Sequence, residues 1–279
     1  MTTYQKASDM KTIIDWLSFT VHIGEHEDND WFYSQIDKTC QAFLGKTWDK
    51  ITDNLGDWQI RSGRAPYSTS YDTMMGIKIY FGKPEHVLIE CSGTGCAWLN
   101  EIGALNDTQR RIEKAVTRVD VAVDMVSTAT PTQFTEQRQG KRFRATSTIK
   151  SSSGETIYLG SRKSEKYARV YRYAEPHPRA NLLRAEHVFR KDAAKRLLHD
   201  LNNSTLQDIT ASIGEMYGWL HADWQPDGEP IELSTYRAER PEGKTIAWLI
   251  SQCGPAFRKC VDSGAIENPE GFLREYFLQ

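Results

Sequence analysis

Four carboxylates in this sequence stand where their neighbours favour burial. Glu90 closes the apolar run VLIE, Glu186 interrupts the apolar pattern of LLRAEHVF, and Asp120 and Asp124 sit within TRVDVAVDMV. In that last segment, strict alternation over Arg118, Asp120, Ala122 and Asp124 marks a strand with one polar face, so both aspartates point the same way. A buried carboxylate costs several kcal/mol unless it is paired or binds a cation. Two arrangements satisfy that demand. Arg118, Arg169 and Arg184 can close internal ion pairs on the acids. Alternatively, hard oxygen ligands from separate strands suit Mg²⁺ or Mn²⁺, with water completing the shell. The metal set would then be Glu90, Asp120 and Glu186, with Asp124 beside them. Tyr171 and Tyr173 lie two residues apart in KYARVYRYAE, so alternation sends both to one strand face. Strand tyrosines ordinarily serve packing, and position alone does not make either one a nucleophile.

The elements that must position these residues are of mixed type. IIDWLSFTV is rich in β-branched and aromatic residues and reads as an opening strand. Asp30 can cap a helix with Phe32, Ile36, Cys40 and Phe43 at helical spacing, and Gly45 can stop it. Short strands follow at WQIRS, MMGIKIYFG and HVLIECSG, separated by the turn signals KPEH and SGTG. A helix through DTQRRIEKA leads into TRVDVAVDMV. After a helix opened by Pro131, RFRATSTIK and ETIYLGS form a hairpin across SSSG. KYARVYRYAE and LLRAEHVFRK are the last strands. From Asp192 onward the pattern is helical, with DAAKRLLHDL, ITASIGEMYGWL and TIAWLISQC, and ADWQPDGEP as a loop between the latter two. A soft boundary near residue 190 separates a strand-rich part, 1–190, from a helical C-terminal region, 191–279, which can also pack on the same domain through Trp219, Trp224 and Trp248. No internal repeat is visible in the sequence.

Composition bounds the function classes. With 279 residues, 39% hydrophobic and 26% charged, the chain has the make-up of a globular protein and carries no run of apolar residues long enough for a membrane span. Its five cysteines, Cys40, Cys91, Cys96, Cys253 and Cys260, form neither a paired framework nor a CxxC site, and a reducing cytoplasm is the expected location. A formal net charge of −2 and pI near 6.4 are unlike most small DNA-binding modules. The stretch Arg138 to Asp192 is nevertheless basic, through RQGKRFR, SRKSEK, ARVYR and FRKD, and could line a groove or merely solvate strand faces. GxxxxGK[ST], GxGxxG and HExxH are absent, which removes the usual carriers of nucleotide hydrolysis, dinucleotide binding and zinc proteolysis. No GxSxG elbow nominates a hydrolase serine.

Three segments carry a family resemblance. RVDVAVD at 118–124, ETIYLGSRKSEKYARVYRYAE at 155–175 and LLRAEHVFRK at 182–191 resemble the Rep_trans family of rolling-circle replication initiation factors and related relaxases of mobile elements. The opening IDWLSFTV and LIECSGTGC are similar to its N-terminal motifs. The resemblance runs in order from Ile14 to about Leu198, and its specificity lies in that ordered combination. It implies an α+β fold, an antiparallel sheet flanked by helices and similar to the HUH-type nucleases, plus the C-terminal helical region. The paired-histidine motif of those nucleases is absent here.

The family's catalytic tyrosine, in an R-[IV]-Y segment after a YxGxRxS-like stretch, matches Tyr171. Its recurrent acids match Asp120 and Glu186, and beside them Glu90 and Asp124, as ligands of Mg²⁺ or Mn²⁺. Arg169, Lys166 and Tyr173 are candidates to support the chemistry. Arg162, Lys163, Arg172 and Arg184 are candidate DNA contacts. The implied activity is site-specific nicking and strand transfer through a 5′-phosphotyrosyl link, for replication or for conjugative mobilisation. The implied partners are origin DNA, single-stranded or extruded, a second copy of the chain, and a host helicase and polymerase. The helical region after Asp192 would supply origin recognition or a dimer contact. Two other classes stay open: a non-catalytic origin-binding protein on the same fold, and a partner-binding protein whose acids and arginines only pair internally.

Overall fold

The computed structural model describes residues 10–24, 41, 45, 59–83, 85–139, 146–152, 154–173, 181–234, 251 and 253–272. Its centre is a 10-stranded sheet, antiparallel at every pairing, in the order β2-β3-β4-β5-β1-β6-β10-β9-β8-β7. The strands are β1 (Met10–Gly24), β2 (Gln59–Ser62), β3 (Thr69–Asp72), β4 (Ile77–Lys83), β5 (Glu85–Cys91), β6 (Val116–Val126), β7 (Thr146–Ser151), β8 (Gly154–Leu159), β9 (Lys166–Arg172) and β10 (Leu182–Arg190). The helices described in full are α1 (Gly93–Glu101), α2 (Leu105–Ile112), α3 (Pro131–Glu136), α4 (Lys191–Asn203), α5 (Leu206–Tyr217) and α6 (Gly254–Asp262).

Alternation divides the sheet into two faces. On one, Phe19, Ile89, Val119, Val121, Val123, Ala185, Phe189 and Val170 join Leu197 and Leu198 of α4 and Ile209 and Ile213 of α5 in one buried cluster. On the other, the register lines up Lys78 and Tyr80 of β4, Glu90 of β5, Ser18 of β1, Arg118, Asp120 and Asp124 of β6, Arg184 and Glu186 of β10, and Arg169 and Tyr171 of β9. One face makes the core and the other carries the chemistry.

Two helix starts are set by local sequence. Thr130 caps α3 with a reciprocal Gln133 contact ahead of Pro131, and Thr205 caps α5 with Asp208 in the same way. Under the sheet, His187 accepts a hydrogen bond from Trp219 Nε1 at 3.0 Å and is ringed by Tyr217, Trp219 and Trp224, with Phe134 against both tryptophans. Trp219 and Trp224 thus fasten the segment after α5 to the sheet. Trp248 lies outside the described residues, as does most of the helix expected from Asp30 to Gly45.

The sequence left several elements unmarked. Strand β3 is four residues of TSYD without an apolar alternation. SGTG, expected as a turn, opens α1, where Gly93 and Gly95 answer close approaches: a Cβ on Gly95 would lie 2.7 Å from the Gly76 carbonyl oxygen, and one on Gly93 2.7 Å from Asp15 Oδ1. The chain divides into two compact units, 1–235 and 236–279. Helices α4 and α5, which follow the soft boundary at 190, bury their apolar stripes against the sheet and fall in the first unit.

Candidate active site

Tyr171 is half-buried on β9, and its hydroxyl donates to Glu186 Oε2 at 3.1 Å. Arg169, two residues earlier on the same face, donates from Nη2 to Glu186 Oε1 at 2.5 Å, and its guanidinium stands 5.5 Å from the Tyr171 ring centroid. Glu186 is fully buried, and its carboxyl lies within hydrogen-bond reach of Asp120 on the neighbouring strand β6. Asp120 in turn accepts from Arg118 Nε at 2.8 Å and pairs with Nη2 of the same guanidinium, which sits 4.8 Å over the Trp16 ring. Tyr171 is thus joined through Glu186 to a chain of two buried carboxyls and two arginines.

The electrostatics separate the two acids. Burial, opposed by Arg118 and reinforced by the Glu186 charge, pushes Asp120 up to about 7. Burial works on Glu186 in the same sense, but Arg169 and the hydrogen bonds from Asp120 and Tyr171 win and hold it below the usual carboxylate range. The pair therefore keeps one proton near neutrality, held mainly on Asp120. Burial first, and then the Glu186 charge, push the Tyr171 hydroxyl well above its ordinary range, with Arg169 pulling the other way.

A divalent cation has a partial fit here. Mg²⁺ is commonly held by one or two carboxylates together with substrate phosphate and water, and the adjacent Asp120 and Glu186 supply two such ligands. The other two acids of the expected set are elsewhere. Glu90 is on β5, separated from Asp120 by the whole of β1, and pairs with Arg64. Asp124 shares the face of Asp120 but is occupied by Arg184, whose Nε and Nη2 donate to it at 2.6 and 2.7 Å while Nη1 donates to Asp15 at 2.8 Å. Among the described residues no group of three or more His, Cys, Asp or Glu is placed to hold a metal. The ion pairs that Arg118, Arg169 and Arg184 were able to form are all present.

The remaining expected residues fall into three groups. Tyr173 stands beside Tyr171 with ring centroids 5.6 Å apart, and Arg184 lies 5.3 Å from its ring. Arg162 and Lys163 are exposed in the turn between β8 and β9, with Arg162 5.3 Å from the Tyr158 ring. Lys166, Arg172 and Arg184 need correction. Lys166 and Arg172 are an odd number of residues from Tyr171, so both point to the opposite face. Lys166 lies 5.9 Å from the Phe189 ring, and Arg172 donates to the carbonyls of Ser127, Ala129 and Asn181, pinning the loop after β6. Arg184 is 2% exposed and spends its guanidinium on Asp124 and Asp15.

Asp15, which the sequence did not single out, is the addition. It sits where the β1 register slips between Ile14 and Trp16, and burial, partly offset by Arg184, raises its carboxyl. A bulge of this kind re-aims a side chain and leaves only a one-residue break in alternation as its signal. Asp15, Arg184, Tyr171 and Tyr173 line a cavity of about 970 Å³ together with Gly93 and Thr94 at the start of α1. Tyr171 therefore borders a space large enough for a nucleotide.

Fold and site together define an α+β protein of all-antiparallel sheet, with a tyrosine and a buried carboxylate couple on its polar face. A solved structure with this fold is that of a rolling circle replication initiator protein from Geobacillus stearothermophilus, which is similar over 84% of this chain and 91% of its own, with a TM-score of 0.54 and 17% sequence identity. No protein-family model matches the sequence, and no curated protein matches it. The expected fold is the one found. Among the described residues no helix is long and apolar enough to cross a membrane.

Proposed function

We propose that the chain initiates rolling-circle replication by nicking DNA at a specific site, with Tyr171 as nucleophile. The observation that carries this reading is a tyrosine, Tyr171, that lines a cavity while its hydroxyl bonds Glu186, within a fold similar to that of a replication initiator. Glu186 takes the phenolic proton as the Tyr171 oxygen attacks phosphorus in line. The bond from phosphorus to the 3′ oxygen breaks, the departing oxygen takes a proton from water, and a 5′-phosphotyrosyl ester retains the bond energy for later strand transfer.

Arg169, bridging the Glu186 carboxylate and the tyrosine ring, offsets the negative charge that develops on the phenolic oxygen. Asp120 holds the second proton of the site and fixes the Glu186 carboxyl through it. A Mg²⁺ or Mn²⁺ ion held by Asp120 and Glu186 would replace their shared proton and polarise the scissile phosphate. Tyr173 lines the cavity next to the nucleophile, where it can stack on a base of the bound strand, and Arg162 and Lys163 meet the backbone from the turn between β8 and β9. A host helicase and polymerase would use the nick and its free 3′ hydroxyl, and a second copy of the chain would supply another nucleophile to close the cycle.

The test compares Tyr171→Phe and Tyr173→Phe on supercoiled DNA carrying the native origin. Tyr171→Phe is expected to abolish nicking and the denaturant-resistant protein–DNA adduct with affinity for the origin within about threefold of wild type, since one hydroxyl is lost and the ring is kept. Tyr173→Phe retains the adduct. An adduct persisting in Tyr171→Phe and lost in Tyr173→Phe would move the nucleophile by two residues. The complete set of ion pairs on the acids favours a second reading, a non-catalytic origin-binding protein. A wild-type protein that binds its origin with salt dependence but forms no adduct, with or without Mn²⁺, would establish that one.

A further inference from the structure

The strand order reads the same from either edge. A long strand (β1, β6) is followed by four strands (β2 to β5, β7 to β10) whose last member returns beside it, and then by two helices (α1 and α2, α4 and α5), with β1 and β6 meeting at the centre. The registers of the two halves correspond. Glu90 faces Lys78 as Glu186 faces Arg169, and one pair further along each face Leu88 meets Tyr80 as Arg184 meets Tyr171. On the other side Glu90 faces Ser18 as Glu186 faces Ala122, which brings Trp16 to the position equivalent to Asp120. Those two residues face each other across the central strand pair. The sequence carries no repeat, so the correspondence is one of topology and of side-chain chemistry.

That chemistry recurs in the first half. The Tyr80 hydroxyl bonds Glu90 as that of Tyr171 bonds Glu186. Arg64 pairs with Glu90 and stands 4.8 Å over the Tyr80 ring, as Arg169 pairs with Glu186 and stands over Tyr171. Two differences decide what such a site can do. Trp16 in place of Asp120 removes the second carboxylate, so there is no acid couple to share a proton or hold a cation. Tyr80 is 8% exposed beneath Arg64 and is poorly placed to attack.

What faces outward is cationic. Arg61, Arg64 and Lys78 have side chains 60%, 55% and 43% exposed, fixed from beneath by Asp72 and Glu90 at 15% and 6%. Three positioned cations over two inward acids present N–H donors to an anion, and they share the polar face with Tyr171. Five strand spacings of about 4.8 Å separate Lys78 on β4 from β9, and seven separate Arg61 on β2 from it, or roughly 24 and 34 Å, which is about seven to ten base pairs of duplex at 3.4 Å each.

We propose that Arg61, Arg64 and Lys78, carried on the Tyr80–Glu90 cluster, form a second, non-cleaving phosphodiester site that grips the DNA backbone about seven to ten base pairs from the nick. The proposal rests on the nicking function argued above. The test uses the full chain and two probes: a hairpin oligonucleotide of the native origin with a stem longer than ten base pairs beside the nick site, and a short single strand spanning the nick alone. The Arg61→Gln, Arg64→Gln, Lys78→Gln triple variant should lower the slope of log affinity against log salt for the hairpin by up to about 2.7, at about 0.9 per phosphate contact. Its turnover on saturating short strand should stay within about twofold of wild type. Arg61→Gln alone leaves Asp72 paired with Lys78, guards against a triple variant that fails to fold, and should lower the slope by about 0.9. Unchanged hairpin affinity and slope in both variants would overturn the second site while wild-type nicking stands, and so would loss of turnover on the short strand with hairpin binding intact. A wild-type chain that binds neither probe would sink the nicking function itself.

Discussion

The Asp120 and Glu186 carboxyls are the residues whose protonation the sheet controls most directly, and the consequence for stability has a definite sign. Asp120 in the folded chain titrates at about 7, above its ordinary value of 3.8, so the folded state binds more protons than the unfolded chain across that interval. Its contribution favours folding at low pH and is lost as pH rises through about 7. His187, buried and lowered to about 4 from 6.5, acts oppositely and costs stability as pH falls below its unfolded value. The wild-type profile sums these with the other shifted carboxyls, among them Asp15, raised like Asp120, and Glu186, lowered and so opposite in sign. Asp120→Asn keeps the protonated shape and can still donate to Glu186; it gives up one of the two Arg118 contacts at every pH and removes the titration of Asp120. The difference in Tm between Asp120→Asn and wild type should therefore move in the variant's favour as pH rises from about 4 and level off above about pH 7. Thermal unfolding in matched buffers measures it, and a flat difference would mean that the carboxyls do not share a proton. Mn²⁺ should raise the wild-type Tm more at pH 8 than at pH 5.5, because the shared proton must leave before the ion enters.

At the scale of elements, periodicity was legible and adjacency was not. The alternation of RVDVAVD placed Asp120 and Asp124 on one face, and the pairs with Arg118 and Arg184 followed from residue types alone. The same alternation, carried along β9, separates Lys166 and Arg172 from Tyr171, so their opposite face was readable. Strand order is set by contacts distant in sequence. That is why Glu90 looked close to Asp120 when β1 runs between them. Helix α1 was hidden because its two glycines read as a turn, whereas they admit the Gly76 carbonyl and Asp15. Gly95→Ala puts a Cβ 2.7 Å from a backbone oxygen that also accepts from Ser92 N at 2.9 Å, so α1 must shift from the β3–β4 turn. The expected cost is about 1–3 kcal/mol in urea unfolding, with Ala97→Ser, on the exposed side of α1, within about 0.5 kcal/mol as control. Equal stability of the two variants would show that α1 has room to move.

At the scale of the whole molecule, the doubled sheet explains why one chain can hold both a reactive tyrosine and a second cationic platform on a single face, and it also fixes where the chain can be cut. The helices after β10 complete the second half of the sheet as α1 and α2 complete the first, and they are not an appendage. Leu197, Leu198, Ile209, Ile213 and Tyr217 are each at most 3% exposed, and each buried side chain of this size contributes about 1.5–3 kcal/mol relative to exposure. Removing all five costs about 7.5–15 kcal/mol, as much as the whole stability of an ordinary domain, about 5–15 kcal/mol. A fragment ending at residue 190 should therefore fail to fold, although the strands that carry Tyr171, Asp120 and Glu186 are all within it. A fragment ending at Thr235 keeps both helices and the Trp219 and Trp224 nest under His187. It should unfold cooperatively and retain nicking of a short single strand within about threefold of the full chain. If origin discrimination resides outside the sheet, it belongs to 236–279, and this same fragment should nick origin and unrelated strands alike. Circular dichroism melting and the adduct assay on the two fragments decide the matter: a folded, active 1–190 fragment would show that α4 and α5 do not complete the core, and an inactive but folded 1–235 fragment would place part of the catalytic apparatus in the second unit.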